Sequence, residues 1–151
     1  MLRAGSAWFR GRLRRSDAAD EEGSVLILTL GYAVLAIAVI LVCVDATSLY
    51  LAQKRLDSLA DAAALAGADG FIFVVEGGEP QAELTSDGVR DQAESLVGDL
   101  GGGAVVVDAG TPDGVSARVT VAGTWRPPIT ALFVPDGVAL EATATSRTAL
   151  R

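Results

Sequence analysis

Residues 23–44, GSVLILTLGYAVLAIAVILVCV, carry no charged side chain. At about 1.5 Å of rise per residue, a helix of that length reaches roughly 33 Å, close to the hydrocarbon thickness of a bilayer. Of the positions from 24 to 44, 13 are Val, Leu or Ile. On an insertion scale that favours the membrane by up to about 4–8 kcal/mol. No polar face interrupts the run, whereas an amphipathic helix buried on one side of a soluble core keeps one. Asp20, Glu21 and Glu22 bound the run on one side and Asp45 on the other. The expected element is one membrane-spanning helix with Gly23 and Val44 at its ends and Gly31 inside it. Thr29 and Ala33, on either side of Gly31, form a minimal small-residue face for helix association.

The flanks predict its orientation. Arg3, Arg10, Arg12, Arg14 and Arg15 precede the run with no acid before Asp17, and only Lys54 and Arg55 lie nearby beyond it. Lys and Arg set topology, so residues 1–22 are expected to be a cytoplasmic Arg-rich tail and the rest extracytoplasmic. A cleaved secretory signal fits poorly, because the apolar run is too long and no small-x-small site comes directly after it. Cys43 stands after Val42 deep in the run, which argues against lipidation and leaves it as a small apolar helix residue.

Composition then excludes most catalysis. The chain has no histidine and one cysteine, which removes His-based acid–base chemistry, the usual nucleophile triads and Cys- or His-rich metal sites. A net charge of -7 lacks the basic excess of a nucleic-acid binder. The expectation is therefore no enzyme, no cofactor, no resident metal and no nucleic-acid partner. Asp108, Asp113 and Asp136 sit in or beside turns. A calcium or paired-carboxylate site built from them competes with the simpler reading that they are turn residues.

Beyond the membrane, Leu49, Ala52, Leu56, Leu59, Ala63 and Ala66 recur at alternating spacings of three and four. That stripe predicts a stem helix over residues 45–69, continuous with the span, with Gly67 and Gly70 as stop signals. A helix over residues 24–69 would reach roughly 69 Å. Leu49, Leu56, Leu59, Ala63 and Ala66 form its packing face. Its partner is either another subunit or this chain's own C-terminal domain, and the residues alone leave both open. All five prolines lie after residue 79, which marks residues 70–151 as a turn-rich second domain.

In that domain Glu76, Gly77, Gly78, Glu79 and Pro80 read as a linker. Ser86 reads as the N-cap of a helix whose apolar face is Val89, Ala93, Leu96, Val97 and Leu100. Gly101, Gly102 and Gly103 end it; they lie between a helix and a strand, the reverse of a phosphate-binding loop. Three strands come next, at residues 104–108, from Val115 to Trp125, and from Val138 onward. Val115, Ala117, Val119 and Val121 face inward on the second, and Val138, Leu140, Ala142 and Ala144 on the third. The expected fold is α+β: a transmembrane helix extended into a long stem, then a small antiparallel sheet with one packed helix. Trp125 and the apolar pair Leu132 and Phe133 are the candidate contacts of a ligand-binding head, against the simpler reading that they belong to the core.

The stretch DEEGSVLILTLGYAVLAIAVILVCVDATSLYLAQKRLDSLADAAALAGA resembles the N-terminal segment of TadG-like and TadE/G-like proteins of tight-adherence (Flp) pilus assembly. The resemblance is carried by Gly23 and Ser24, Val44 and Asp45, Tyr50, Leu56, and the run from Ala60 to Ala66. It implies a structural, single-pass component of a bacterial cell membrane, associated with other Tad/Flp pilus assembly proteins and open to forming homo-oligomers. Gly23 and Ser24 are the place where a prepilin-type peptidase would cut. Leu28 then stands where pilin precursors carry a glutamate, which favours a retained anchor.

Overall fold

In the computed structural model the backbone is described for residues 10–76 and 79–147, and side chains for residues 23–72 and 83–147. Arg3 and the Gly77 and Gly78 pair lie outside the described residues, as do the side chains of Arg10, Arg12, Arg14 and Arg15. Helix α1 runs Arg10–Asp69, strands β1 and β2 occupy Ile72–Glu76 and Glu79–Glu83, and helix α2 covers Ser86–Leu100. Strands β3, β4 and β5 lie at Val105–Gly110, Ser116–Trp125 and Val138–Arg147. The fold is α+β, with a long apolar N-terminal helix, a second helix and a three-stranded antiparallel sheet. The chain divides into two compact units, at Met1–Cys43 and Val44–Arg151.

The first unit is helical throughout its described part. The helix starts earlier than the apolar run, because residues 10–22 are rich in Arg, Ala and Glu and contain no proline. Every described side chain of this unit, from Gly23 to Cys43, is exposed. The hydroxyl of Thr29 donates back to the Val25 carbonyl one turn earlier, so its polar group is satisfied within the helix.

The second unit has one core. The sheet order is β3-β4-β5, with β4 central and antiparallel to both neighbours. Ala117, Val119 and Val121 of β4 are fully buried, and Ala142 and Ala144 of β5 nearly so. This is the alternation expected from the sequence, except that Val115 and Val138 at the strand ends are 43 % and 38 % exposed and that Ser116, expected on the opposite face, is buried beside Ala117. A register shift between Val106 and Asp108 bulges β3. It leaves Val107 outside and returns Ala109 to the core. Helix α2 covers this face with Val89, Ala93 and Val97, all buried. Leu100, expected on the same face, is instead 71 % exposed at the helix end.

Three expectations are corrected. The N-cap of α2 is Thr85, one residue before Ser86; its side chain accepts from the Gly88 N–H. The Ser86 hydroxyl instead accepts from Thr111 N–H at 3.3 Å. The stretch expected as a linker instead carries paired antiparallel strands, with Glu76 opposite Glu79. Ile72, Phe73, Val74 and Val75 are β-formers, and a Gly-Gly pair between two strands is a hairpin signal. Gly67 is no stop signal. Helix α1 continues past it to Asp69, where the Gly70 N–H bonds the Gly67 carbonyl.

Candidate functional site

The stripe on α1 is where the structure concentrates its close contacts. Leu56, Ala60, Ala63, Ala64 and Ala68 are buried in the core shared with α2 and the sheet, and Leu59 packs against it in part. Leu49 and Ala66 are half-buried. The alanines let the elements approach closely. A Cβ on Gly67 would lie 2.9 Å from Val89 Cγ1 and 3.4 Å from Ala117 Cβ. Of the two partners left open for this stripe, the chain's own domain covers Leu56 and Ala63. The large apolar side chains that α1 leaves exposed in this unit are Val44, Tyr50, Leu51 and Leu65, at 44 %, 62 %, 49 % and 56 % exposure.

Strand β4 runs back along this helix. Ala117 faces Gly67 and Gly123 faces Leu56. The Trp125 indole N–H donates to Ser48 Oγ at 3.1 Å. The chain then reaches Asp45, the first residue after the apolar run. Its Oδ1 accepts from the Ile129 N–H at 3.3 Å and its Oδ2 from the Thr130 hydroxyl at 2.7 Å. Asp45 is only 8 % exposed. It is a buried acceptor that ties the loop between β4 and β5 to the helix. A charged acceptor with two donors offsets the cost of its burial, as an unpaired one would not.

That loop corrects another expectation. Trp125 is half-buried, in keeping with its inward register. Leu132 and Phe133 are not core: they are 92 % and 85 % exposed. The register of β4 ends at Trp125, and Pro127 and Pro128 stop the pairing, so the strand alternation does not extend into the loop. The turn is closed by its own bonds, from the Phe133 and Val134 N–H groups to the Thr130 carbonyl.

The acidic trio is not brought together. Asp113 is consumed by its own turn, accepting from the N–H groups of Val115 and Ser116 and from the Ser116 hydroxyl. The Ser116 hydroxyl and then the Val115 N–H hold its carboxyl below the usual aspartate range, with Arg147 adding to the effect. Asp108 lies 4.0 Å from Arg90, and Asp136 is exposed. Among the described residues no group of three or more His, Cys, Asp or Glu side chains is placed to hold a metal ion. A half-open cleft of about 910 Å³ lies beside α1, lined by Arg55, Leu56, Leu59, Gly102, Trp125 and Arg126 among others. The cleft has no counterpart in the sequence pattern, because its walls come from residues far apart along the chain.

Among the described residues one helical stretch, Gly23–Asp69, is long and apolar enough to cross a membrane. The family model described as "Putative Flp pilus-assembly TadE/G-like" matches residues 23–70. The match begins at the first residue of the apolar run and ends at Gly70, just past the end of α1. It covers the Gly23 and Ser24 pair, Asp45 and the alanine-rich face. The resemblance read from those residues is therefore shown for this segment. No curated protein and no solved structure matches the chain significantly. Together the match and the apolar helix support a pilus-related membrane protein.

Proposed function

We propose that the protein is a non-enzymatic, single-pass component of a Flp/Tad-type pilus assembly apparatus or a related envelope machine, acting through helix-mediated association. The observation that carries this reading is the family match across residues 23–70, which coincides with the apolar helix and the stem. Residues 1–22 form the cytoplasmic tail, 23–44 the span, 45–69 the stem and 70–151 the extracytoplasmic domain. The arginines before the run support that orientation. The partners are the bilayer, other pilus assembly proteins and further copies of this chain. Since the chain itself covers Leu56 and Ala63, the association surface is the lipid-facing span, including Gly31, with Tyr50, Leu51 and Leu65 beyond it. The anchor is retained, because Leu28 departs from the residue a prepilin-type peptidase expects after Gly23.

The test is photo-crosslinking in membranes of the native host, from probes at Leu35, Leu51 and Leu65, with mass measurement of the adducts. Adducts with pilus assembly proteins or a second copy, on a full-length chain, are expected. A chain beginning at Ser24 would instead make it a processed, pilin-like subunit. Adducts to lipid alone, with normal piliation in a strain lacking the protein, would sink the assembly reading.

A second reading is an envelope-anchored ligand-binding head. The observation in its favour is the cleft, where Arg55 and Arg126 face an opening also lined by Trp125. An Arg55→Ala, Arg126→Ala double variant that leaves assembly intact but abolishes a ligand phenotype would shift the weight to it.

A further inference from the structure

Leu132 and Phe133 are the two most exposed large apolar side chains among the described residues, and they are adjacent. Exposed leucines occur singly on most surfaces, but an adjacent Leu-Phe pair on a closed turn is a directed feature. The stretch PPITALFVP, residues 127–135, has no charge; Arg126 precedes it and Asp136 comes directly after. Pro127 is buried, and Thr130 is fixed by its hydroxyl to Asp45. The turn is therefore held in place, and its apolar tip projects away from the core.

Where the turn is held decides what it meets. Asp45 is the next residue after Val44, the last of the apolar run. Leu132 and Phe133 lie two and three residues beyond Thr130, so their Cα atoms stay within about 11 Å of it along the chain. That reach exceeds the roughly 5–8 Å of polar headgroup layer on one side of a bilayer, so the tip can cross it. Trp125, bonded to Ser48 one turn beyond Asp45, and the exposed Arg126 stand at the same end of the domain. Trp and Arg are residue types that settle at headgroup level.

We propose that the loop of residues 126–137 is a second membrane contact, in which Leu132 and Phe133 enter the headgroup–acyl boundary of the leaflet where the apolar helix ends. This rests on the reading of residues 23–44 as a membrane span. In that contact Trp125 and Arg126 lie at headgroup level. Asp45 makes that contact possible by pinning the loop to the residue directly after the apolar run. Lipid, rather than a second protein, is the occupant, because the pair is held at the level where the chain's own lipid-facing residues end.

The test uses the full chain in phosphatidylcholine–phosphatidylglycerol nanodiscs, one chain per disc. A Cys43→Ala background carries one environment-sensitive fluorophore at a time, at Phe133→Cys, Leu35→Cys or Thr120→Cys. The Phe133 probe is expected to emit blue-shifted light, lose intensity in discs containing a lipid spin-labelled near the headgroup, and resist aqueous iodide. Adding Leu132→Asp should reverse all three effects. The Thr120 probe, on the outer sheet face, should behave as in water. A Phe133 probe that iodide quenches and the spin-labelled lipid does not, while Leu35 is quenched by lipid, overturns the loop proposal and leaves the span standing. If Leu35 also escapes lipid quenching, the span itself fails and the proposal falls with it. A Phe133 probe that is exposed in single-chain discs but protected in crowded vesicles assigns the loop to a second copy and likewise overturns the proposal.

Discussion

A carboxylate one residue past an apolar run would ordinarily face water, and its charge gives no hint of a partner. Asp45 takes two donors from a loop more than eighty residues away in sequence. Replacing it with alanine leaves the Thr130 hydroxyl and the Ile129 N–H without their acceptor, at a cost of about 1–3 kcal/mol. Denaturant unfolding of the full chain in detergent, tracked by the circular dichroism of the sheet, is the measurement. In a cycle with Thr130→Val, the two changes are expected to be non-additive by about 0.5–3 kcal/mol, as for groups in direct contact. Additive losses would mean that the bond carries no energy of its own. Gln53 makes a similar long-range link, donating to the Glu141 carbonyl at 3.1 Å as well as to Asp57 on its own helix.

At the scale of elements, close approach outweighs propensity. A glycine inside a helix normally costs roughly 0.5–1 kcal/mol relative to alanine. Two glycines separate the rule from its exception. Gly98 on α2 has no atom within 4 Å of where a Cβ would sit, whereas Gly67 on α1 has Val89 Cγ1 at 2.9 Å. Gly98→Ala is expected to stabilise the protein by roughly 0.5–1 kcal/mol. Gly67→Ala is expected to destabilise it by about 1–2 kcal/mol, the overpacking strain exceeding the helical gain. Equal gains in the two variants would show that α1 and α2 do not meet closely at Gly67. The same geometry explains why an alanine-rich stripe, poor in buried area per residue, nevertheless serves as a core face. It brings the backbone of α1 against both α2 and β4.

For the molecule as a whole, the question is which face of α1 packs on the chain itself and which stays outward. Ala63 is fully buried, while Leu65, two residues on, is 56 % exposed. Ala63→Glu places an unpartnered carboxylate in the core and is expected to cost several kcal/mol, unfolding the domain of the second unit. Leu65→Glu is expected to change stability by no more than about 0.5 kcal/mol while weakening any association made through the outward face. Protease resistance and sheet circular dichroism read the first effect, and crosslinking yield in membranes reads the second. If Ala63→Glu folds normally, α1 is not part of this core and its stripe is free for another subunit.

Much of this architecture arises from local pattern. The uncharged run at residues 23–44, the three-and-four spacing from Leu49 to Ala66, the apolar face of α2 and the alternation in β4 and β5 each reflect a period set by backbone geometry. Such periods survive without knowledge of the rest of the chain. The pairing of β1 with β2 is also written locally, in Ile72 to Val75 and the glycine pair, though the run of acids and glycine reads at first as a linker. Which surfaces meet is settled only by tertiary packing. The burial of Asp45, the loss of Gly67 as a stop signal, the cleft beside Arg55 and the outward turn of Leu132 and Phe133 all depend on β4 running back along α1. A period tells which side of an element is apolar. It carries no information about what lies against that side, because contacts between residues far apart in sequence are set by the packing of whole elements.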